Sequence, residues 1–159
     1  MSVFMNTPMF LSTHATRIDG KGRVSFPAPF RNALTSRGSQ GVVLYQSTMF
    51  AAIEGVTLER IQQMAAALEK LSPDDPARAD FETTIFGTAH ELAIDKEGRC
   101  SVPRMLLDHA GIDLDLIFLG RGQTFQVWEP QAFAQRKTDA AQSVKSGAVP
   151  FPILTEAAA

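Results

Sequence analysis

Eight residues recur along this chain at one fixed interval. Phe10, His14, Ile18, Asp19, Gly22, Arg23, Ser25 and Pro27 return as Phe86, His90, Ile94, Asp95, Gly98, Arg99, Ser101 and Pro103, each 76 positions later. Identities held in register over so short a stretch, with Gly and Pro among them, mark a duplication, because those two residues most strongly dictate the local course of the backbone. The match continues past a one-residue slip. Val42-Val43-Leu44 aligns with Ile117-Phe118-Leu119, and Phe50-Ala51-Ala52-Ile53-Glu54 with Phe125-Gln126-Val127-Trp128-Glu129. Whatever one copy folds into, the other must fold into as well.

The repeated unit reads as β-α-β. An extended stretch (15–18, then 92–94) runs into the Asp, a Gly-containing turn follows, and a short strand (24–26, then 100–102) leads to the Pro. Proline suits a first helical turn because its φ is already set and its missing N–H is not needed there. This predicts short helices over 28–34 and 104–110, the second ended by Gly111 in the left-handed conformation. The apolar run 114–119 predicts a buried strand, 120–123 a hairpin turn and 124–128 its partner. A more polar helix closes each half, over 57–71 and 131–144. In the first, Leu58, Ile61, Met64, Ala65 and Leu68 form a stripe at helical spacing, read as packing. A further helix over 77–86 bridges the halves, after the break Ser72-Pro73-Asp74-Asp75-Pro76.

The expected class is therefore α+β and β-rich, with additional helices. The first repeat and its helix occupy 8–75, the second 76–145, and 146–159 is expected to be a flexible tail. At 159 residues the chain suits one ordinary domain or two small halves sharing a core. Strands this few and this short cannot bury both faces within one copy, so the copies are expected to interleave into one body with pseudo-two-fold symmetry.

Charge is uneven along the chain although the formal net charge is only −2. From 10 to 37 the bases Arg17, Lys21, Arg23, Arg31 and Arg37 face one acid, Asp19; from 54 to 82 seven acids outweigh three bases. A near-neutral total thus conceals a basic segment and an acidic one. One cysteine, Cys100, excludes an internal disulfide and a cysteine-clustered zinc site, and fits a reducing cytoplasm. Residues 1–10 lack the layout of a signal peptide, and no apolar run approaches the ~20 residues that span a bilayer, so no membrane partner is expected.

The chemistry sits in the two Asp-x-x-Gly-Arg turns. In Asp19-Gly20-Lys21-Gly22-Arg23, Asp19 can bond its own turn backbone and shape the loop, while Gly20 and Gly22 let the backbone approach a ligand closely. Lys21 and Arg23 would project charge, and Arg17 lies just upstream. The second copy, Asp95-Lys96-Glu97-Gly98-Arg99, carries Lys96 and Arg99 but has Glu97 where the first has Lys21, and a carboxylate repels phosphate. The first copy is therefore expected to supply most of any affinity for nucleic acid. A symmetric pair of basic turns suits a double helix, where arginine can donate two bonds to guanine or anchor a phosphate.

These paired turns, each followed by Ser-x-Pro, together with Phe-Gln-Val-Trp-Glu at 125–129, resemble the MraZ family over residues 10–133. The resemblance implies two AbrB-like swapped-hairpin halves forming a pseudo-two-fold barrel, and ring-shaped homo-oligomers. It further implies a nucleoid-associated transcriptional regulator of the division and cell-wall gene cluster, bound to short direct repeats of promoter DNA. The family's DNA-contacting turn falls on Asp19 to Arg23, with Arg23 the principal residue carried over.

Competing readings exist for each feature. Each arginine could pair with its own aspartate and fix the turn. Duplicated packing explains His14 and His90 more simply than a metal or pH-sensing pair, and Phe125 and Trp128 read as core. Among the motifs of catalysis there is no Gly-rich phosphate loop, His-Glu-x-x-His helix or nucleophile elbow, so no catalytic residue, metal site or cofactor is expected. The rival to DNA binding is a non-catalytic oligomeric scaffold or protein-interaction module, with the acidic helices holding the partner.

Overall fold

A computed structural model describes residues 8–36, 38 and 41–152. Arg37 and the last seven residues of the expected tail lie outside the described residues; residues 146–152 are exposed, a turn followed by chain without regular secondary structure. In chain order the elements are β1 (Thr13–Arg17), β2 (Arg23–Ser25), α1 (Ala28–Ser36), β3 (Gly41–Gln46), β4 (Ile53–Val56), α2 (Leu58–Glu69) and α3 (Pro76–Thr84). They are followed by a 3-10 turn (Phe86–Thr88), β5 (His90–Ala93), β6 (Arg99–Ser101), α4 (Arg104–His109), β7 (Asp115–Gly120), β8 (Phe125–Trp128) and α5 (Pro130–Lys145). The fold is mixed α and β, and every strand pairing is antiparallel.

Strand order carries the duplication into space. The six-stranded sheet runs β1-β7-β8-β4-β3-β5, and β2 pairs with β6 in a separate ribbon. Exchanging each strand for its repeat counterpart reverses that order and leaves it otherwise unchanged. Among the described residues, only the hairpins β3-β4 and β7-β8 pair within a half. Four pairings join the halves: β1 with β7, β5 with β3, β4 with β8, and β2 with β6.

Alternation along the strands separates two apolar layers, as a pleat with period two requires. Val42 and Leu44 of β3, with Leu116 and Phe118 of β7, join the main core, which also takes Val24, Phe26 and Cys100 from the ribbon side. Helices α1 and α4 close this core with Phe30, Ala33 and Leu34, and with Leu106 and Leu107. Val43, Tyr45 and Val56 face the other way, against Ile61 and Met64 of α2 and Ile85. The α2 stripe does face the sheet, but no residue of α2 is fully buried and Leu58 stays 39% exposed.

Local chemistry explains the helix ends. Thr57 caps α2 by accepting from the Arg60 N–H at 3.1 Å, and Asp75 caps α3 by accepting from Ala77 at 2.9 Å. Glu129 caps α5 by accepting from both Gln131 and Ala132. Gly111, at φ +67°, ends α4 as its position predicts. The bridging helix stops at Thr84, short of the expected 86, because the chain must tighten into a 3-10 turn to enter β5. No helix of the described residues is long and apolar enough to cross a membrane.

Five phenylalanines tie the core together. Phe30 sits at its centre, with ring centroids 5.2 Å from Phe10, 5.4 Å from Phe125 and 5.8 Å from Phe118, and Phe26 completes the group at 5.1 Å from Phe118. The cluster is asymmetric: the repeat counterpart of Phe30 is Leu106, and that of Phe10 is Phe86, only half-buried. Removing the Phe30 ring leaves a cavity that its aromatic neighbours cannot fill. Phe30→Ala is expected to lower stability by about 3–5 kcal/mol, and Phe86→Ala by less than half as much, measured as the shift in urea midpoint at constant m.

Candidate nucleic-acid interface

The two Asp-x-x-Gly-Arg segments adopt the same hydrogen-bonded turn. Asp19 Oδ1 accepts from the backbone N–H of Lys21 at 2.8 Å and of Arg23 at 2.9 Å, while the Gly22 N–H donates to the Asp19 carbonyl at 3.0 Å. Asp95 Oδ1 accepts from Glu97 and Arg99, both at 2.9 Å, and Gly98 donates to the Asp95 carbonyl at 2.9 Å. Each turn places its glycine at positive φ, +78° for Gly22 and +81° for Gly98, where a Cβ would be strained. Asp, Gly and Arg are thus three parts of one local device.

The ribbon then sets where the turns go. β2 and β6 are antiparallel, with Val24 opposite Cys100, so the turns preceding them lie at opposite ends of the ribbon. Val24 and Cys100 point into the core; Arg23 and Arg99, one residue to either side, point away from it. Burial pushes the Cys100 thiol up to about 11, with Asp95 adding to the effect, so the thiol stays protonated and inert near neutrality.

Both guanidinium groups turn back onto acids. Arg23 Nε donates to Asp19 Oδ2 at 3.0 Å, and 26% of its side chain is exposed. Arg99 lies 3.4 Å from Asp95, is ion-paired with Glu97, and reaches to 4.0 Å from the Asp19 carboxylate. The turn-fixing role weighed for these arginines from sequence is therefore present in both copies. Lys21 and Lys96 are exposed and have no ion pair among the described residues, and Gly20 and Gly22 are exposed with them. Arg17, on the edge strand β1, is exposed but paired with Asp115 at 3.1 Å. Such surface pairs are worth about 0–1 kcal/mol and can be exchanged for another anion.

One basic residue without an expected role lies at the second turn. Arg31, from α1, lies across Gly98: a Cβ built on that glycine would be 2.2 Å from Arg31 Nη1. Gly98 is consequently buried where Gly22 is exposed. Periodicity could not have singled Arg31 out, because its repeat counterpart is the buried Leu107. The two repeat-related histidines lie on β1 and β5, the outer strands of the sheet. His14 is edge-on to Phe30, with its Nε2 buried and unpartnered, and His90 Nδ1 is 3.0 Å from the Thr88 carbonyl.

Comparison with known proteins identifies relatives of this chain. The MraZ family model, described as "MraZ protein, putative antitoxin-like", matches residues 85–147, the second of the two turns included. The protein named "Transcriptional regulator MraZ" from Pelagibacter ubique is 45% identical over 132 residues, covering 83% of this chain and 85% of its own length. The chain belongs to the MraZ family. Proteins of the same name from Gluconobacter oxydans and Rickettsia canadensis are 40% and 38% identical, covering 81% and 86% of this chain and 80% and 91% of their own. As an MraZ protein, the chain has relatives that align along both repeats and not along one alone.

The Asp19 turn carries a pH signature. The Arg23 backbone N–H, with help from that of Lys21 and from the Arg23 side chain, holds the Asp19 carboxyl below its ordinary value of 3.8, against an opposing contribution from burial. A carboxyl lowered on folding stabilises the fold fully above its unfolded value and ceases to do so as pH falls through the folded one. Asp19→Asn is accordingly expected to melt below the wild type at pH 7. The gap should close as pH falls below 3.8, followed by thermal unfolding across a pH series.

Proposed function

We propose that this protein is a transcriptional regulator, as its relatives are named, that it works by binding DNA, and that it acts without catalysis. The observation that carries the reading is the pair of identical, backbone-locked turns at the two ends of one ribbon, with Lys21 and Lys96 exposed beside two outward-facing arginines. Rigid loops lose little entropy on binding, and a duplex offers phosphates for the lysines and base edges for guanidinium groups. Arg23 contacts DNA with its terminal amino groups while its Nε keeps the turn closed, so one residue serves both roles. Gly20, Gly22 and Asp19 shape that surface, while Arg17, Lys96 and Arg99 extend it.

The wider reading follows the family. The halves 8–75 and 76–145 are AbrB-like swapped hairpins, for which the four strand pairings between them are the support. The protein assembles as a ring-shaped homo-oligomer and binds short direct repeats in the promoter of the division and cell-wall gene cluster, at the nucleoid. One turn with a small net charge binds weakly; several displayed together can gain roughly 10²–10⁴ in avidity. The incompletely covered apolar residues of α2 and α3, with Leu58 39% and Phe81 44% exposed, are the surface available for ring contacts.

The test is a gel shift with DNA from upstream of the protein's own gene. Arg23→Ala, in a folded variant, is expected to weaken specific binding by about 1–3 kcal/mol, and Lys21→Gln to weaken binding to any sequence and reduce its salt dependence. Undiminished binding by both variants would remove the site. If the wild type retains no DNA at physiological salt but holds a stable protein partner, the scaffold reading replaces this one.

A further inference from the structure

The second turn is electrostatically poor by its own residues. Asp19, Lys21 and Arg23 leave the first turn with one net positive charge, whereas Asp95, Lys96, Glu97 and Arg99 cancel. The Glu97 carboxylate also occupies Arg99. Taken alone, this half of a two-fold surface lacks the net attraction for phosphate that its counterpart has.

Arg31 alters that balance from outside the repeat. Its guanidinium lies over Gly98 and lines an open cleft of about 570 Å³ together with Asn32, Thr35, Lys96 and the Asp95 segment. Arg17, Arg23 and Arg99 are each held by a carboxylate, but Arg31 has no ion pair among the described residues and its buried Nε has no hydrogen-bond partner. Its guanidinium packs against the glycine. Among the described residues that line the cleft the one carboxylate, Asp95, already accepts two backbone N–H groups and faces Arg99. Two cations therefore share a concave, hydroxyl- and amide-lined surface with little to neutralise them, which is an environment for an oxyanion.

We propose that Arg31 and Lys96 form a phosphate-binding cleft on the second turn, and that its ligand is a phosphodiester of the bound DNA. The proposal rests on the DNA-binding reading above. Arg31, a residue of the first repeat's helix, thereby supplies to the second turn the charge that Lys21 supplies to the first. Gly98 is required there twice over, for its positive φ and because any side chain would displace the guanidinium.

The experiment measures fluorescence anisotropy of a labelled duplex from upstream of the protein's own gene across a salt series. It compares wild type, Arg31→Met (which keeps the stem over Gly98), Arg31→Lys, Lys96→Gln and Lys21→Gln. Arg31→Met and Lys96→Gln are each expected to weaken binding roughly tenfold and to lower the slope of log K against log salt by about one per engaged turn, with Arg31→Lys close to wild type. Should Arg31→Met not fold, the exposed Lys96→Gln decides on the same criteria. Wild-type slopes and affinities in the cleft variants, alongside weakened Lys21→Gln, would overturn the cleft and leave the DNA reading standing. No binding by the wild type at low salt would overturn both. Thermal stabilisation by inorganic phosphate over chloride at matched ionic strength, lost in Arg31→Met while the DNA slope is unchanged, would assign the cleft to a free phosphate instead.

Discussion

The structure depends on hydrogen bonding between its two halves. A short strand with an unpaired edge is unstable in water, and the strands flanking each Asp-x-x-Gly-Arg turn find their partners only in the other copy. The ribbon β2-β6 is the clearest case, since three residues from each half pair with three from the other and drive Val24 and Cys100 into a common core. Neither half can reach this arrangement alone. The same pairing orients the turns, because burying the central pair on one side leaves Arg23 and Arg99 on the other.

Duplication followed by divergence explains why the interior is less symmetric than the backbone. The strand order maps onto itself, yet Phe30 corresponds to Leu106 and Arg31 to Leu107. Glu54 and Glu129 are likewise equivalent by repeat but differ in task. Glu54 accepts from the Gln126 amide at 2.8 Å, within a chain reaching to the Trp128 indole, whereas Glu129 caps α5. A common backbone tolerates such exchange because its turns are closed by main-chain hydrogen bonds to a single aspartate each, whatever packs around them. Functional asymmetry can then accumulate on a symmetric frame, as the exposed Gly22 and the covered Gly98 illustrate.

Much of the fold was legible because the signals were local. Pro27 and Pro103 precede α1 and α4, Gly111 ends α4, and the apolar run before Gly120 is a strand of the sheet's interior. The end of the bridging helix was misjudged by two residues, since no breaker stands there and the need to enter β5 is a tertiary demand. In the candidate site, the aspartate's bonds to its own turn followed from residue type, and Lys21 is exposed as its position between two glycines suggests. Arg23 points away from the core, and its Nε also pairs with Asp19, the turn-fixing alternative that the sequence left open. Spacing along a chain does not tell which rotamer a long side chain adopts when an acid is four residues away.

By itself, then, the sequence determined the two turns, the helix boundaries next to Pro and Gly, and the existence of a repeat, because each depends on interactions spanning five residues or fewer or on direct comparison of the copies. The tertiary structure alone decided which strands pair, which face of the ribbon carries the arginines, and that Arg31 comes to rest on Gly98, 67 residues further along the chain. The physical reason is that these outcomes are set by burial and backbone pairing between distant segments, and no local preference encodes a partner that the chain meets only when folded.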